Sequence, residues 1–214
     1  MNGRHDLVWL TRAGWHAAVT ADPGHDGSLR DWYENDWPAV VRRQDASAGD
    51  DVVCLGIPLP VSDGVRQRLS LVAHAGHIAR RTAPVTLADA LAAAPPAWLA
   101  GLVALARDAA GLDLRVYGSL AMESVTGAPY LRPESDIDLL LRPSTRTALR
   151  AGLALLAHHA ALLPLDGEIV FPSGDAVAWK EWLAARRDQA RVLVKSLHAV
   201  RLQDPALLED SLPP

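Results

Sequence analysis

Among 214 residues there is a single cysteine, a single phenylalanine and only a pair of lysines, Lys180 and Lys195, and these scarcities narrow the reading. A lone Cys54 cannot form an intrachain disulfide, so cysteine usage gives no sign of an oxidising compartment. Its setting in VVCLGI is that of a small buried hydrophobe. Long apolar runs are missing as well. The stretch LVWL before Arg12 is too short for the core of a signal sequence, and no uninterrupted run reaches membrane-spanning length. The expectation is a soluble, cytoplasmic protein with no membrane partner. Nor is there a basic excess: a net charge of −4 and a pI near 6.0 exclude a general nucleic-acid binder, and what positive charge exists is almost all arginine. Half of the residues are hydrophobic, enough for a sizeable core in one large domain or two small ones.

What is present concentrates in residues 114–142, LRVYGSLAMESVTGAPYLRPESDIDLLLR. LRVYGS reads as a short strand ending at Gly118, with Ser119 as the N-cap of a helix that begins at Leu120. The free amides of such a helix start suit a phosphate, the glycine admits close approach of the ligand, and the serine adds a hydroxyl donor. DIDLLLR reads as a buried strand in which Asp136 and Asp138 share one face while Ile137 takes the other. Two such carboxylates repel unless a cation lies between them. A divalent ion, Mg2+ with phosphate oxygens completing its shell, resolves the repulsion. In the loop between helix and strand, Arg132 and Ser135 are placed to touch a ligand, and Pro129 and Pro133 predict a stiff loop.

Gly-Ser followed at this spacing by Asp-x-Asp resembles the signature of the polymerase-β-like nucleotidyltransferases, in which the turn holds a triphosphate tail and the aspartates hold metal ions. That superfamily has a third carboxylate on a neighbouring strand. In LLPLDGEIVF, Asp166 and Glu168 have the same parity and therefore the same face. Glu168 is favoured because apolar residues follow it directly, as leucines follow Asp138; Asp166, beside Gly167, also reads as a turn residue.

Elsewhere HDLVWL reads as a strand, TRAGWHAAVTA as a helix, and AVVRR with DVVCLGI as a hairpin. Residues 61–81 read as a turn at Asp63-Gly64 leading into a helix. Arg42, Arg43, Arg66 and Arg68 are candidate contacts for phosphates or an acidic partner. Thr86 caps a short helix ending at Pro95-Pro96, and a second helix runs from there to Gly111. The boundary is set between an N-terminal α+β domain, residues 1–84, for substrate or carrier recognition, and a catalytic domain, residues 85–214. Residues 144–161 read as a helix, residues 174–202 as one or two amphipathic helices that carry Lys195, and the tail from Pro205 as frayed.

Taken together, HDLVWL, AVVRR, GIPLP, VYGSLAMESVTGAPYLRPESDIDLLLRP, LDGEIVF, AVAWKEW and VLVKS resemble the malonate decarboxylase holo-acyl-carrier-protein synthases, or phosphoribosyl-dephospho-CoA transferases, across most of the chain. The resemblance implies an α/β (α+β) protein whose C-terminal domain is nucleotidyltransferase-like, with a mixed sheet and flanking helices. It implies transfer of 2'-(5-phosphoribosyl)-3'-dephospho-CoA from a triphosphate precursor, triphosphoribosyl-dephospho-CoA, to a serine of the apo acyl carrier protein of malonate decarboxylase, with release of pyrophosphate. Gly118 and Ser119 would hold the departing phosphates, Asp136 and Asp138 would hold Mg2+, and Glu168, or else Asp166, would complete the metal shell or take the serine proton; Lys195, from its charge, is expected to serve the donor phosphates. Three alternatives stand beside it: the same attachment to the citrate lyase carrier, nucleotidyl transfer to another acceptor, and a non-catalytic nucleotide-binding module.

Overall fold

The computed structural model describes residues 3–60 and 67–214, and the chain divides into two compact units, Met1–Pro84 and Val85–Pro214. The first unit is built on a five-stranded sheet of β1 (Leu7–Leu10), β2 (Ala39–Val41), β3 (Val52–Pro58), β4 (Arg68–His74) and β5 (Ile78–Thr82), in the order β4-β3-β2-β1-β5. All four pairings are antiparallel. Helices α1 (Arg12–Ala21) and α2 (Asp26–Glu34) bury Trp15, Ala18, Leu29 and Trp32. Thr11 opens α1, its hydroxyl oxygen accepting from the Gly14 amide at 3.1 Å, which satisfies one of the helix's unpaired donors.

Residues 68–82 correct an expectation, because they form two strands and not a helix. Leu69, Leu71 and Ala73 are buried while Arg68, Ser70, Val72 and His74 are exposed, a period of two that outweighs the helix-favouring alanines and arginines. The turn expected at Asp63-Gly64 lies outside the described residues, as does Arg66.

In the second unit seven strands form one sheet: β6 (Val85–Thr86), β7 (Leu114–Val116), β8 (Ile137–Leu141), β9 (Leu165–Val170), β10 (Ala176–Ala178), β11 (Val192–Lys195) and β12 (Val200–Gln203), in the order β12-β11-β10-β9-β8-β7-β6. Its helices are α3 (Leu87–Ala90), α4 (Pro96–Asp108), α5 (Gly118–Thr126), α6 (Arg146–His159), α7 (Trp179–Asp188) and α8 (Pro205–Asp210). The sheet is mixed. β8 and β9 pair in parallel, which requires a crossover between them that α6 supplies, and the remaining described pairs are antiparallel.

Alternation divides the two central strands between the core and the site. Ile137, Leu139, Leu141, Leu165 and Ile169 belong to the core cluster with Leu102 and Leu105 of α4, Leu149, Leu153 and Leu156 of α6, and Trp179 and Trp182 of α7. Asp138, Leu140, Asp166 and Glu168 therefore share the opposite face. Gly167 lies opposite Leu139 with φ +133°, where an added Cβ would stand 1.9 Å from the Leu139 carbonyl oxygen, so this crossing of the strands admits only glycine.

Two further expectations are corrected here. Residues 174–202 contain one helix flanked by strands: Gln189, at φ +53°, ends α7, and VLVK then joins the sheet as β11, so Lys195 stands on a strand. The tail is also ordered. Asp204 caps α8, Leu208 and Leu212 enter the core, and Glu209 forms ion pairs with Arg150 and Arg186. Among the described residues, no helix is long and apolar enough to cross a membrane.

Candidate active site

β7 ends at Val116 and the chain turns into α5 through Tyr117 and Gly118. Gly118 has φ +68°, in the left-handed region, and a Cβ there would lie 1.9 Å from Oδ2 of Asp138. The turn and the aspartate strand are thus in direct contact, joined also by the Tyr117 amide, which donates to the Asp138 carbonyl at 3.0 Å. Helix α5 starts two residues earlier than the sequence suggests. Tyr117 occupies the cap position and makes no side-chain cap bond, so Ser119 falls in the first turn instead of capping it. Its hydroxyl is thereby left out of the capping role proposed for it.

Gly118→Ala is expected to destabilise the protein. The left-handed backbone alone costs about 1–2 kcal/mol for a residue with a Cβ, and relief of the overlap requires Asp138 to move. Thermal denaturation checks this; a melting temperature equal to that of the unaltered protein would show that the turn relaxes without cost.

The parallel register sets Asp138 opposite Asp166 and Leu140 opposite Glu168. Asp136, Asp138 and Asp166 each present a carboxylate oxygen, and these oxygens all lie within 4.8 Å of one another. Asp136 is exposed and the other two are half-buried. Three carboxylates this close on a sheet face suit a hard divalent cation, since oxygen donors in a compact group are what Mg2+ takes and their mutual repulsion is relieved by it. Glu168, favoured from the sequence, stands apart from this group. It is 4% exposed and accepts a hydrogen bond from Lys195 Nζ at 2.9 Å. The physical reason is register: the two candidate acids share a face, but Asp166 is the one abreast of Asp138, and Glu168 is two residue pairs further along.

The loop before β8 is pinned by a residue that sequence reasoning passed over. Glu123, on α5, accepts through one carboxylate oxygen from the amides of Tyr130 and Leu131, at 2.9 and 2.8 Å. Tyr130 is buried, and desolvation pushes its phenol well above the ordinary range. Arg132 and Ser135 close a turn on each other, the Arg132 amide donating to Ser135 Oγ at 3.0 Å, and Arg132 lies 3.6 Å from Glu134. Lys180, one of the chain's pair of lysines, brings its Nζ to 3.6 Å from Asp166.

Comparison with known proteins now bears on the geometry. The family described as phosphoribosyl-dephospho-CoA transferase MdcG C-terminal domain matches residues 86–206, and the corresponding N-terminal domain family matches residues 3–84. A phosphoribosyl-dephospho-CoA transferase of Xanthomonas euvesicatoria is 42% identical over 212 residues, 97% of each chain. One from Xanthomonas campestris is 40% identical over 206 residues, 94% of each, and one from Bradyrhizobium diazoefficiens is 37% identical over 208 residues, 94% of this chain and 90% of its own. The chain belongs to the phosphoribosyl-dephospho-CoA transferase family. It is accordingly an enzyme, a transferase. No solved structure matches it.

Within this transferase the arginines singled out from the sequence fall in the N-terminal unit. Arg42 grips Asp45 through two hydrogen bonds of 2.6 and 2.7 Å and also donates to the carbonyls of Arg43 and Leu55. Its guanidinium holds the Asp45 carboxyl below the usual range. Arg42 therefore fastens the loop after β2, whereas Arg43 and Arg68 are exposed.

Proposed function

We propose that this transferase moves the phosphoribosyl-dephospho-CoA group from triphosphoribosyl-dephospho-CoA to a serine of the apo acyl carrier protein of malonate decarboxylase, releasing pyrophosphate. The observation that carries the reading is the carboxylate group of Asp136, Asp138 and Asp166 lying against the Gly118 turn at the start of a helix. These three residues would hold Mg2+, which when bound neutralises phosphate charge and makes the acceptor hydroxyl a better nucleophile. Asp166 takes the third position that the sequence alone gave to Glu168.

The protein's own groups supply the rest. Amides in the first turn of α5, at the positive end of the helix, favour the departing phosphates. Gly118 carries no side chain, which leaves Asp138 and the turn in contact, and the Tyr117–Asp138 hydrogen bond holds both in register. As the acceptor oxygen bonds to the α-phosphorus, the bond to the bridging oxygen breaks, pyrophosphate leaves with the electron pair, and the serine proton passes to solvent. Arg43 and Arg68 are assigned to the acidic carrier or the distal dephospho-CoA, since a chain of net charge −4 must meet two anionic partners through local positive surface.

The test is mass spectrometry of apo carrier proteins incubated with the enzyme, Mg2+ and triphosphoribosyl-dephospho-CoA. The malonate decarboxylase carrier is expected to gain one phosphoribosyl-dephospho-CoA on serine. Preferential loading of the citrate lyase carrier, or use of ATP in place of the triphosphoribosyl donor, would replace this reading with one of its rivals.

Ser119→Ala is expected to raise the KM for the donor about fivefold while leaving measurable turnover, the loss of one hydroxyl bond to a charged phosphate. Steady-state kinetics check the magnitude. A covalent nucleotidyl adduct on Ser119 would make it a nucleophile instead.

A further inference from the structure

Both lysines of the chain stand on carboxylates of one strand, β9. Lys195 meets Glu168 at 2.9 Å and Lys180 meets Asp166 at 3.6 Å, in a sequence where every other cationic side chain apart from histidine is arginine. The two pairs are built differently. Glu168 has 5% of its side chain exposed, so its pair with Lys195 is sheltered and persistent. The Lys180 and Asp166 side chains are 55% and 45% exposed, and an ion pair in that much water is weak and exchanges readily.

Position adds to the contrast. Ala178 of β10 pairs with Glu168, Lys180 follows two residues later, and Asp166 precedes Glu168 by two. The ladder ends at the Ala178–Glu168 pair, and Lys180, in the first turn of α7, reaches from the helix start to Asp166. Its other charge-related contact is the indole of its neighbour Trp179, with Nζ 5.6 Å from the ring centroid.

We infer that Lys180 is an exchangeable counter-cation: it occupies Asp166 when the carboxylate group holds no divalent ion, yields that place when the ion binds, and turns its ammonium to the donor's phosphates. Resting on the carboxylate group being a divalent-cation site, this goes beyond that reading by assigning a residue that competes with the ion and then complements the substrate. Lysine suits such a switch because its ammonium is a compact point charge on a flexible stem, with no planar fork to lock onto a carboxylate. Arginine at the same place would grip Asp166 with two parallel bonds.

The consequence is an ordered series with opposite signs for ion and substrate. Full-length protein is titrated with Mn2+ under electron paramagnetic resonance, without donor, for the unaltered enzyme, Lys180→Met, Lys180→Arg, Lys195→Met and Asp138→Asn. Lys180→Met is expected to bind the ion about threefold more tightly and Lys180→Arg about threefold more weakly, as befits removal or strengthening of an exposed competing pair. Lys195→Met should leave the ion affinity within error. In the presence of Mg2+, inorganic tripolyphosphate should bind Lys180→Met about fivefold more weakly, the reverse of the change in ion affinity.

Ion affinity that falls or stays constant in Lys180→Met, in a protein whose unaltered form binds Mn2+ and whose Asp138→Asn form does not, overturns the exchange and leaves the metal site standing. Equal Mn2+ binding by the unaltered and Asp138→Asn proteins removes the metal site and the exchange together. Lys180 is more than half exposed, so loss of folding is not expected, and melting curves of each variant confirm that binding is compared between folded proteins.

Discussion

Replacing Asp136 or Asp138 with asparagine is expected to lower transfer on the order of a thousandfold, because each substitution removes a charge from the group that would hold the divalent ion while keeping its shape. Folding should not suffer. With carboxylate oxygens of Asp136, Asp138 and Asp166 all within 4.8 Å of each other, the metal-free protein bears a repulsion that asparagine relieves, so both variants should melt at or above the temperature of the unaltered enzyme in chelator. Mg2+ should then raise the melting temperature of the unaltered enzyme and leave those of the variants nearly unchanged, since only a ligand that binds the native state stabilises it. Transfer assays and paired melting curves decide the matter. Near-normal turnover of both variants would remove these aspartates from the chemistry.

Asp166 and Glu168 are expected to fail in different ways. Asp166→Asn removes a charge from the group that would hold the ion and should cut transfer on the order of a hundredfold, with little change in melting. Glu168→Gln should do the reverse. It weakens a pair in which the carboxylate is almost wholly buried and should cost about 1–3 kcal/mol, at the lower end because Lys195 retains access to water. Measuring kcat and the melting temperature of both variants separates the roles. If Glu168→Gln were the less active of the two and Asp166→Asn nearly silent, the third ligand would be Glu168 after all.

That contrast shows where sequence reasoning stops. Asp136 and Asp138 could be placed on one face from strand periodicity alone, and the Gly118 turn from its position between an apolar strand and a helix, because each rests on neighbours in the chain. Choosing between Asp166 and Glu168 required the register of β9 against β8, set by a parallel pairing across the whole of α6, and parity is blind to a shift of two residues. Two misreadings of secondary structure have local causes. Residues 68–82 are rich in alanine and arginine, yet Leu69, Leu71 and Ala73 keep a strict alternation that makes β4. The end of α7 depends on Gln189 adopting a left-handed conformation, for which glutamine gives little warning, so β11 was merged into the helix and Lys195 with it. Arginine and lysine placement was the least legible. Nothing local distinguishes Arg42, bound to its own loop, from Arg43 beside it, which points to solvent exposure in the folded chain.

The hydrogen bond from the Tyr117 amide to the Asp138 carbonyl, with β7 and β8 paired beside it, also bears on how this enzyme can vary. The Gly118 turn and the aspartates are positioned by the sheet, and the connection between them is fastened at its own ends by Glu123 and by the Arg132–Ser135 turn. Pro133 and Glu134 are exposed but form the middle of that turn, across which the Ser135 amide donates to the Arg132 carbonyl at 3.0 Å. An insertion between them would open that turn one residue before Asp136, so a change of length at this tip is transmitted to the carboxylate group although the tip itself faces solvent.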